Sequence, residues 1–212
     1  MTVSFGNRDE AGRRLAELFA GHTGQTVVLG LARGGVPVGR PIAQALGCPL
    51  DALIVRKLGV PRQPELGFGA ITEGGHRVLN ASLIEQAGLT EETIEAVAEA
   101  ESVEVARRVE QYRGGRPMQS VAAKVVVVVD DGIATGSTAA AAIELLRSMG
   151  PARIILAVPV AAPDTVTWLE TVADEVVVLA TPSPFRAVGE WYRDFAPVSD
   201  REVADALADA AP

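Results

Sequence analysis

Short apolar runs punctuate the chain at residues 26–31, 52–55, 124–129 and 153–160, with a fifth at 175–179. None of them alternates with polar positions. Runs of that length without alternation predict strands covered on both faces, as in a parallel sheet. Between them, residues 9–20, 36–46, 137–149 and 163–172 carry helical spacing. The alternation of strand and helix predicts an α/β fold: a doubly wound, mostly parallel five-stranded sheet with ligands at the carboxyl ends of its strands. A closing helix is predicted from Ser199, because Ser199-Asp200-Arg201-Glu202 has the form of a capping box.

One region breaks this rhythm. Residues 67–117 separate the second run from the third by about fifty positions. Residues 69–79 read as a hairpin with a Gly-Gly turn at Gly74-Gly75. Residues 90–112 then read as a long charged helix with apolar positions at Ile94, Val97, Val105 and Val109, ended by Gly114-Gly115-Arg116-Pro117. This is expected to be an excursion flanking the site within one domain, 1–212, whose last part, 180–212, holds a hood and the closing helix.

Composition narrows the class. The chain has 212 residues, 48% hydrophobic and 22% charged, which suits a globular protein with a real core. The net charge of −8 argues against a nucleic-acid partner, so an anionic ligand would need a local cluster of cations and backbone N–H groups. A single cysteine, Cys48, rules out an internal disulfide and a Cys-based zinc site, and it suits a reducing compartment. No apolar stretch reaches the length of a membrane span, and the first residues lack the pattern of a signal peptide. A cytoplasmic location is the expectation.

The chemistry concentrates in Val125-Val126-Val127-Val128-Val129-Asp130-Asp131-Gly132-Ile133-Ala134-Thr135-Gly136-Ser137-Thr138. A buried strand ends in two acids, followed by a small hydroxyl-rich turn and the start of a helix. Free N–H groups and the positive end of a helix dipole make such a turn a phosphate cradle. Adjacent carboxylates suit vicinal hydroxyls or a hydrated metal. Together they describe a sugar phosphate. A second loop, Gly30-Leu31-Ala32-Arg33-Gly34-Gly35, follows the first strand and opens a helix, with glycines for close approach to an anion and Arg33 for charge. It lacks the dinucleotide spacing, and the chain has no Gly-Lys-Ser/Thr.

The segment at 125–138 closely resembles the phosphoribosyl pyrophosphate (PRPP) motif of the type I phosphoribosyltransferases: four apolar residues, two acids, two or three variable residues, then Thr-Gly-x-Thr. The resemblance implies that Asp130 and Asp131 hold the ribose hydroxyls. It implies that Gly132, Ile133, Ala134, Thr135, Gly136, Ser137 and Thr138 wrap the 5′-phosphate. Ala32, Arg33, Gly34 and Gly35 match the family's pyrophosphate loop, where a cis peptide is expected at Ala32–Arg33. Arg56-Lys57 matches an Arg-Lys pair that adenine and orotate phosphoribosyltransferases direct at the pyrophosphate. The stretch from Arg56 to Leu66 resembles a subgroup of predicted phosphoribosyltransferases without a settled acceptor. The implied activity is transfer of a phosphoribosyl group from PRPP to a nitrogen acceptor, with Mg²⁺ as cofactor held mainly by substrate oxygens and no protein metal ligand assigned.

The implied base hood is Phe185, Val188, Trp191, Tyr192 and Asp194, in a segment that loosely resembles the 6-oxopurine hood. The same segment suits a satellite core or a homodimer contact. Where the 6-oxopurine enzymes carry an Asp before Thr-Gly, this chain has Ala134. The acids of 91–104 are expected on a solvated helix face, paired with Arg107 and Arg108; those arginines could instead reach the pyrophosphate. His22 and His76 show no partner pattern, and Cys48 reads as a small buried residue. A second functional class stays open: a PRPP- or nucleotide-binding regulatory protein on the same fold, without turnover.

Overall fold

The computed structural model describes residues 4–20, 24–61 and 63–209. Its elements in chain order are α1 (Arg8–Ala16), β1 (Thr26–Leu31), α2 (Gly35–Leu46), β2 (Leu50–Leu53), β3 (Arg56–Val60), β4 (Gln63–Ile71), β5 (Arg77–Leu79), α3 (Ala81–Gln86), α4 (Glu91–Arg113), β6 (Val125–Val129), α5 (Ser137–Arg147), β7 (Arg153–Val160), α6 (Pro163–Leu169), β8 (Glu175–Ala180) and α7 (Asp200–Ala208). His22 and the first and last three residues fall outside the described residues.

Five strands form one parallel sheet in the order β2-β1-β6-β7-β8. The order runs outward from β1 in both directions, so the chain reverses its winding between β1 and β6. In open α/β sheets a ligand crevice opens at such a switch point, beyond the carboxyl ends of the two strands.

The valine run explains why alternation is missing. Val127 and Val129 enter one core with Val28, Ile42, Val36 and the α7 residues Val203 and Leu207. Val126 and Val128 enter the other with Leu29, Ile143, Leu146 and Leu156. All four of these valines are fully buried. Each contributes roughly 1.5–3 kcal/mol of burial, so a polar residue on either side of β6 would be costly.

The excursion forms a second, antiparallel sheet in the order β3-β4-β5. The expected hairpin is present, with Gly69 opposite Leu79 and Ile71 opposite Arg77. Two sequence expectations shift here. The second core strand ends at Leu53 rather than at 55, and residues 56–60, which had no element assigned, form a strand of the second sheet. The apolar run at 52–55 crosses the point where the chain leaves one sheet for the other, so hydrophobicity alone places the boundary too late. The helix α3 carried no strong periodic signal and lay unassigned in the sequence.

The far end of α4 is fastened by buried charge. Arg113 pairs with Glu73 and lies 3.5 Å from Asp51, and both acids are engaged by backbone N–H groups of the returning chain. Met118 N donates to Glu73 at 2.6 Å and Gln119 N to Asp51 at 2.8 Å. Burial pushes the Asp51 carboxyl up against the opposing pull of Arg113. The apolar face of α4 buries Ile94, Ala98, Val105 and Tyr112, with Val97 and Val109 partly covered.

Candidate active site

The carboxyl end of β6 and the first turn of α2 meet at the switch point, and two glycines let them touch. A Cβ at Gly35 would stand 2.0 Å from the Val129 carbonyl oxygen. A Cβ at Gly34 would stand 2.1 Å from Asp131 Oδ2. A side chain at Gly35 would press on backbone and force the two loops apart, whereas one at Gly34 would displace the Asp131 carboxylate. The Ala32–Arg33 peptide in this loop is cis, as expected.

Asp130 and Asp131 therefore sit in a tight, partly buried corner. The Asp131 N–H donates to Asp130 Oδ1 at 2.9 Å. Burial first, and then the neighbouring Asp131 charge, push the Asp130 carboxyl well above the usual carboxylate range. Burial also raises Asp131, opposed by a hydrogen bond from Arg8. Two adjacent carboxylates that resist full ionisation favour partners bearing hydrogen-bond donors or positive charge.

Next comes the loop to α5. Ile133 bridges to Ala161, and Thr165 donates its hydroxyl to the Ala134 carbonyl at 2.6 Å, which holds the loop's shape. Ala134, Thr135, Ser137 and Thr138 are exposed, while Ile133 and Gly136 are buried. No side chain caps α5. Its first N–H groups thus lack a side-chain cap and lie beside exposed hydroxyls, an arrangement suited to a phosphate.

The cations expected from the sequence each have a protein neighbour. Arg33 is half-exposed and 3.8 Å from Asp200, the first residue of α7. Asp200 also accepts the Tyr112 hydroxyl of α4 at 2.6 Å. Burial, followed by that bond, pushes the Tyr112 phenol up to about 12. Arg56 opens β3 and pairs with Glu101 of α4 at 2.6 Å. Lys57 is exposed, with its methylenes lying over Gly67. Arg107 and Arg108 both bond Glu104 at 2.8 Å, the surface pairing that the sequence suggested. His76 is exposed, and Cys48 is half-buried with burial raising its thiol.

The hood segment packs against the N-terminus. Phe5 N donates to Trp191 O and Arg193 N to Phe5 O, both at 2.8 Å. Tyr192 is buried between Phe5 and Phe195, at ring distances of 5.4 Å and 4.9 Å, and its hydroxyl donates to the Asp131 carbonyl at 2.6 Å. Tyr192 is thus largely covered by protein. Val188 packs directly on Gly132. Phe185 and Trp191 stack with centroids 6.4 Å apart, and Asp194 is exposed.

Sequence reasoning missed Arg8, Tyr112, Glu101 and Asp200. Arg8 offered one faint signal: a cation in the first turn of a helix opposes the macrodipole and calls for an acidic partner. Nothing local marks Glu101 or Tyr112, whose partners lie 45 and 88 positions away.

Comparison with known proteins agrees with this geometry. Residues 7–182 match the phosphoribosyl transferase domain. A Mycobacterium tuberculosis protein ascribed to the phosphoribosyl transferases is 49% identical over 200 residues, 94% of this chain and 45% of its own length. The chain therefore spans under half of that relative. The crystal structure of TT1426 from Thermus thermophilus superposes with a TM-score of 0.89 at 40% identity, covering 99% of this chain and 100% of that one. The AQ2163 protein from Aquifex aeolicus shares the fold at 12% identity, with a TM-score of 0.51 over 86% of this chain and 78% of its own. With a domain match across most of its length and the acid pair set at the switch point of its sheet, the chain belongs to the phosphoribosyltransferase family.

Proposed function

We propose that the protein transfers a phosphoribosyl group from PRPP to a nitrogen acceptor, releasing pyrophosphate. The observation that carries this reading is the contact between the Gly34-Gly35 turn and the Asp130-Asp131 pair, beside an uncapped, hydroxyl-rich helix start. In that arrangement Asp130 and Asp131 accept the ribose hydroxyls. Residues Gly132 to Thr138 take the 5′-phosphate on N–H groups and on the Thr135 and Thr138 hydroxyls. Arg33, with the N–H groups of the Ala32-Arg33-Gly34-Gly35 loop, receives the pyrophosphate, joined by Arg56 and Lys57. Phe185, Val188, Trp191, Tyr192 and Asp194 form the wall toward the acceptor base, with Tyr192 acting from beneath through its bond to Asp131.

The reaction breaks the C1′–O bond to pyrophosphate as the acceptor nitrogen bonds C1′ from the opposite face. Charge develops on the ribose and on the leaving group, so the protein's part is positioning and electrostatic stabilisation. Among the described residues no three His, Cys, Asp or Glu side chains converge as a metal cage. The acid pair is already engaged by Arg8 and a backbone N–H. This donor set fits a Mg²⁺ ion that arrives on PRPP oxygens and keeps several waters, and we assign it no protein ligand. When bound, the ion supplies further positive charge to the leaving group.

A second reading has one observation in its favour. Arg56 and Arg33, two of the three cations assigned to the leaving group, both face acids, Glu101 and Asp200. A regulatory protein that binds PRPP without turnover would have less need of them. Calorimetric titration with PRPP and Mg²⁺ tests binding, and pyrophosphate release with a panel of bases separates the two readings. Binding with base-dependent release supports the transferase; binding without release supports the regulator; absence of binding sinks both.

A further inference from the structure

Arg8 stands at the first position of α1, yet its side chain reaches the acid pair. Its Nε donates to Asp131 Oδ2 at 2.8 Å, with both side chains largely buried. Its Nη1 donates to the Ala196 carbonyl at 2.8 Å. Its guanidinium lies 3.9 Å from the centroid of the Phe195 ring. One planar group thus joins three segments: the N-terminal helix, the acid loop and the end of the hood. The Asp131 backbone is held from the other side, where its carbonyl accepts the Tyr192 hydroxyl.

We propose that Arg8 is a positioning residue for the ribose site, fixing the Asp131 carboxylate in its acceptor orientation and locking the hood to that same carboxylate. Three features carry this. A cation at a helix N-terminus is electrostatically misplaced unless something compensates it, and here Asp131 does. A buried ion pair adds little net stability over an apolar pair of the same shape, so retention of a charged pair at this corner is better explained by the geometry it imposes. The bonded oxygen, Oδ2, is also the one that lies against Gly34. Arg8 therefore sets the carboxylate rotamer toward the pyrophosphate loop, leaving Oδ1 free of the guanidinium.

The inference rests on reading Asp131 as a ribose acceptor, and its test separates the two claims. Ribose 5-phosphate and inorganic pyrophosphate are titrated calorimetrically, with Mg²⁺, into the wild-type protein, Arg8→Met, Arg8→Lys and Phe195→Leu. The expected result is that Arg8→Met weakens ribose 5-phosphate about tenfold or more, the scale of one oriented charge-assisted hydrogen bond, while pyrophosphate affinity changes less than about twofold. Arg8→Lys regains part of the loss, since a point charge can meet Asp131 but cannot also fork to Ala196. Phe195→Leu removes the stacking face with the charge intact, and it weakens ribose 5-phosphate by about threefold. A purely structural clamp would weaken both ligands together, and that outcome overturns the proposal. So does unchanged ribose 5-phosphate affinity in Arg8→Met. If Arg8→Met fails to fold, Arg8→Lys and Phe195→Leu decide by the same ratio of the two affinities. A wild-type protein that binds pyrophosphate but no ribose phosphate refutes the ribose reading itself.

Discussion

Adding one methyl group at Gly35 and one at Gly34 should separate the fold from the function. At Gly35 the new Cβ meets the Val129 carbonyl oxygen at 2.0 Å and the Asp130 Cα at 3.0 Å. Both are backbone atoms at the end of the central strand β6 and cannot swing aside. Overpacking of this kind costs about 3 kcal/mol, at the upper end of the usual range. Replacing a helical glycine by alanine returns about 1 kcal/mol. The net loss is about 2 kcal/mol, which for a chain of this length lowers Tm by about 4–8 °C. At Gly34 the new Cβ meets only the end of the Asp131 side chain, at 2.1 Å and 2.5 Å. That carboxylate can rotate, but rotation breaks its bond to Arg8. Gly34→Ala should therefore keep Tm within about 2–4 °C of wild type, a cost near 1 kcal/mol, and weaken PRPP by about tenfold or more. Thermal unfolding and PRPP calorimetry on both variants check this. Equal Tm for wild type and Gly35→Ala, or full PRPP affinity in Gly34→Ala, would refute the close contact between the loops.

Asp131→Asn, and to a lesser degree Asp130→Asn, should weaken PRPP by about tenfold with the fold retained; unchanged calorimetric affinity in both contradicts the assignment. The raised Asp130 carboxyl has a pH consequence. An acid whose folded pKa is raised stabilises the fold below its ordinary value of 3.8 and loses that contribution as pH climbs through the raised value. The ligand-free protein should therefore lose stability as pH climbs from about 4 to about 8, and Asp130→Asn should flatten that slope in thermal melts. Tyr192→Phe removes the donor to the Asp131 carbonyl and should cost about 1–3 kcal/mol, read by urea unfolding. Hypoxanthine and guanine should be poor acceptors, because Ala134 stands where an acid could exchange a proton with the base, help typically worth about 10²–10⁴-fold; turnover of either above about 1 s⁻¹ contradicts this.

The central sheet and the acid-pair loop were legible because their signals are local. A five-valine run, two acids and a Thr-Gly turn lie within fourteen consecutive residues, and burial of the strand on both faces follows from the unbroken apolar run. The Ala32–Gly35 loop was legible only through its likeness to a family, since a glycine-rich turn before a helix has many uses. What stayed hidden depends on long-range pairing. The strand β3 carried no strand signal because Arg56 and Lys57 are polar, and its partner β4 begins only after a turn. The aromatic cluster at 185–195 suited a base hood or a satellite core equally, and only the three-dimensional structure shows that Tyr192 packs against Phe5 of the N-terminus. Arg8 lies 123 positions from Asp131, a distance no sequence window spans.

The most direct test is a crystal structure of the protein with PRPP and Mg²⁺. The account predicts the 5′-phosphate on residues 134–138, the ribose hydroxyls on Asp130 and Asp131, and the pyrophosphate on the 32–35 loop beside Arg33. Well-defined PRPP bound elsewhere on the chain, or bound in that crevice with its ribose turned away from both acids, would contradict it.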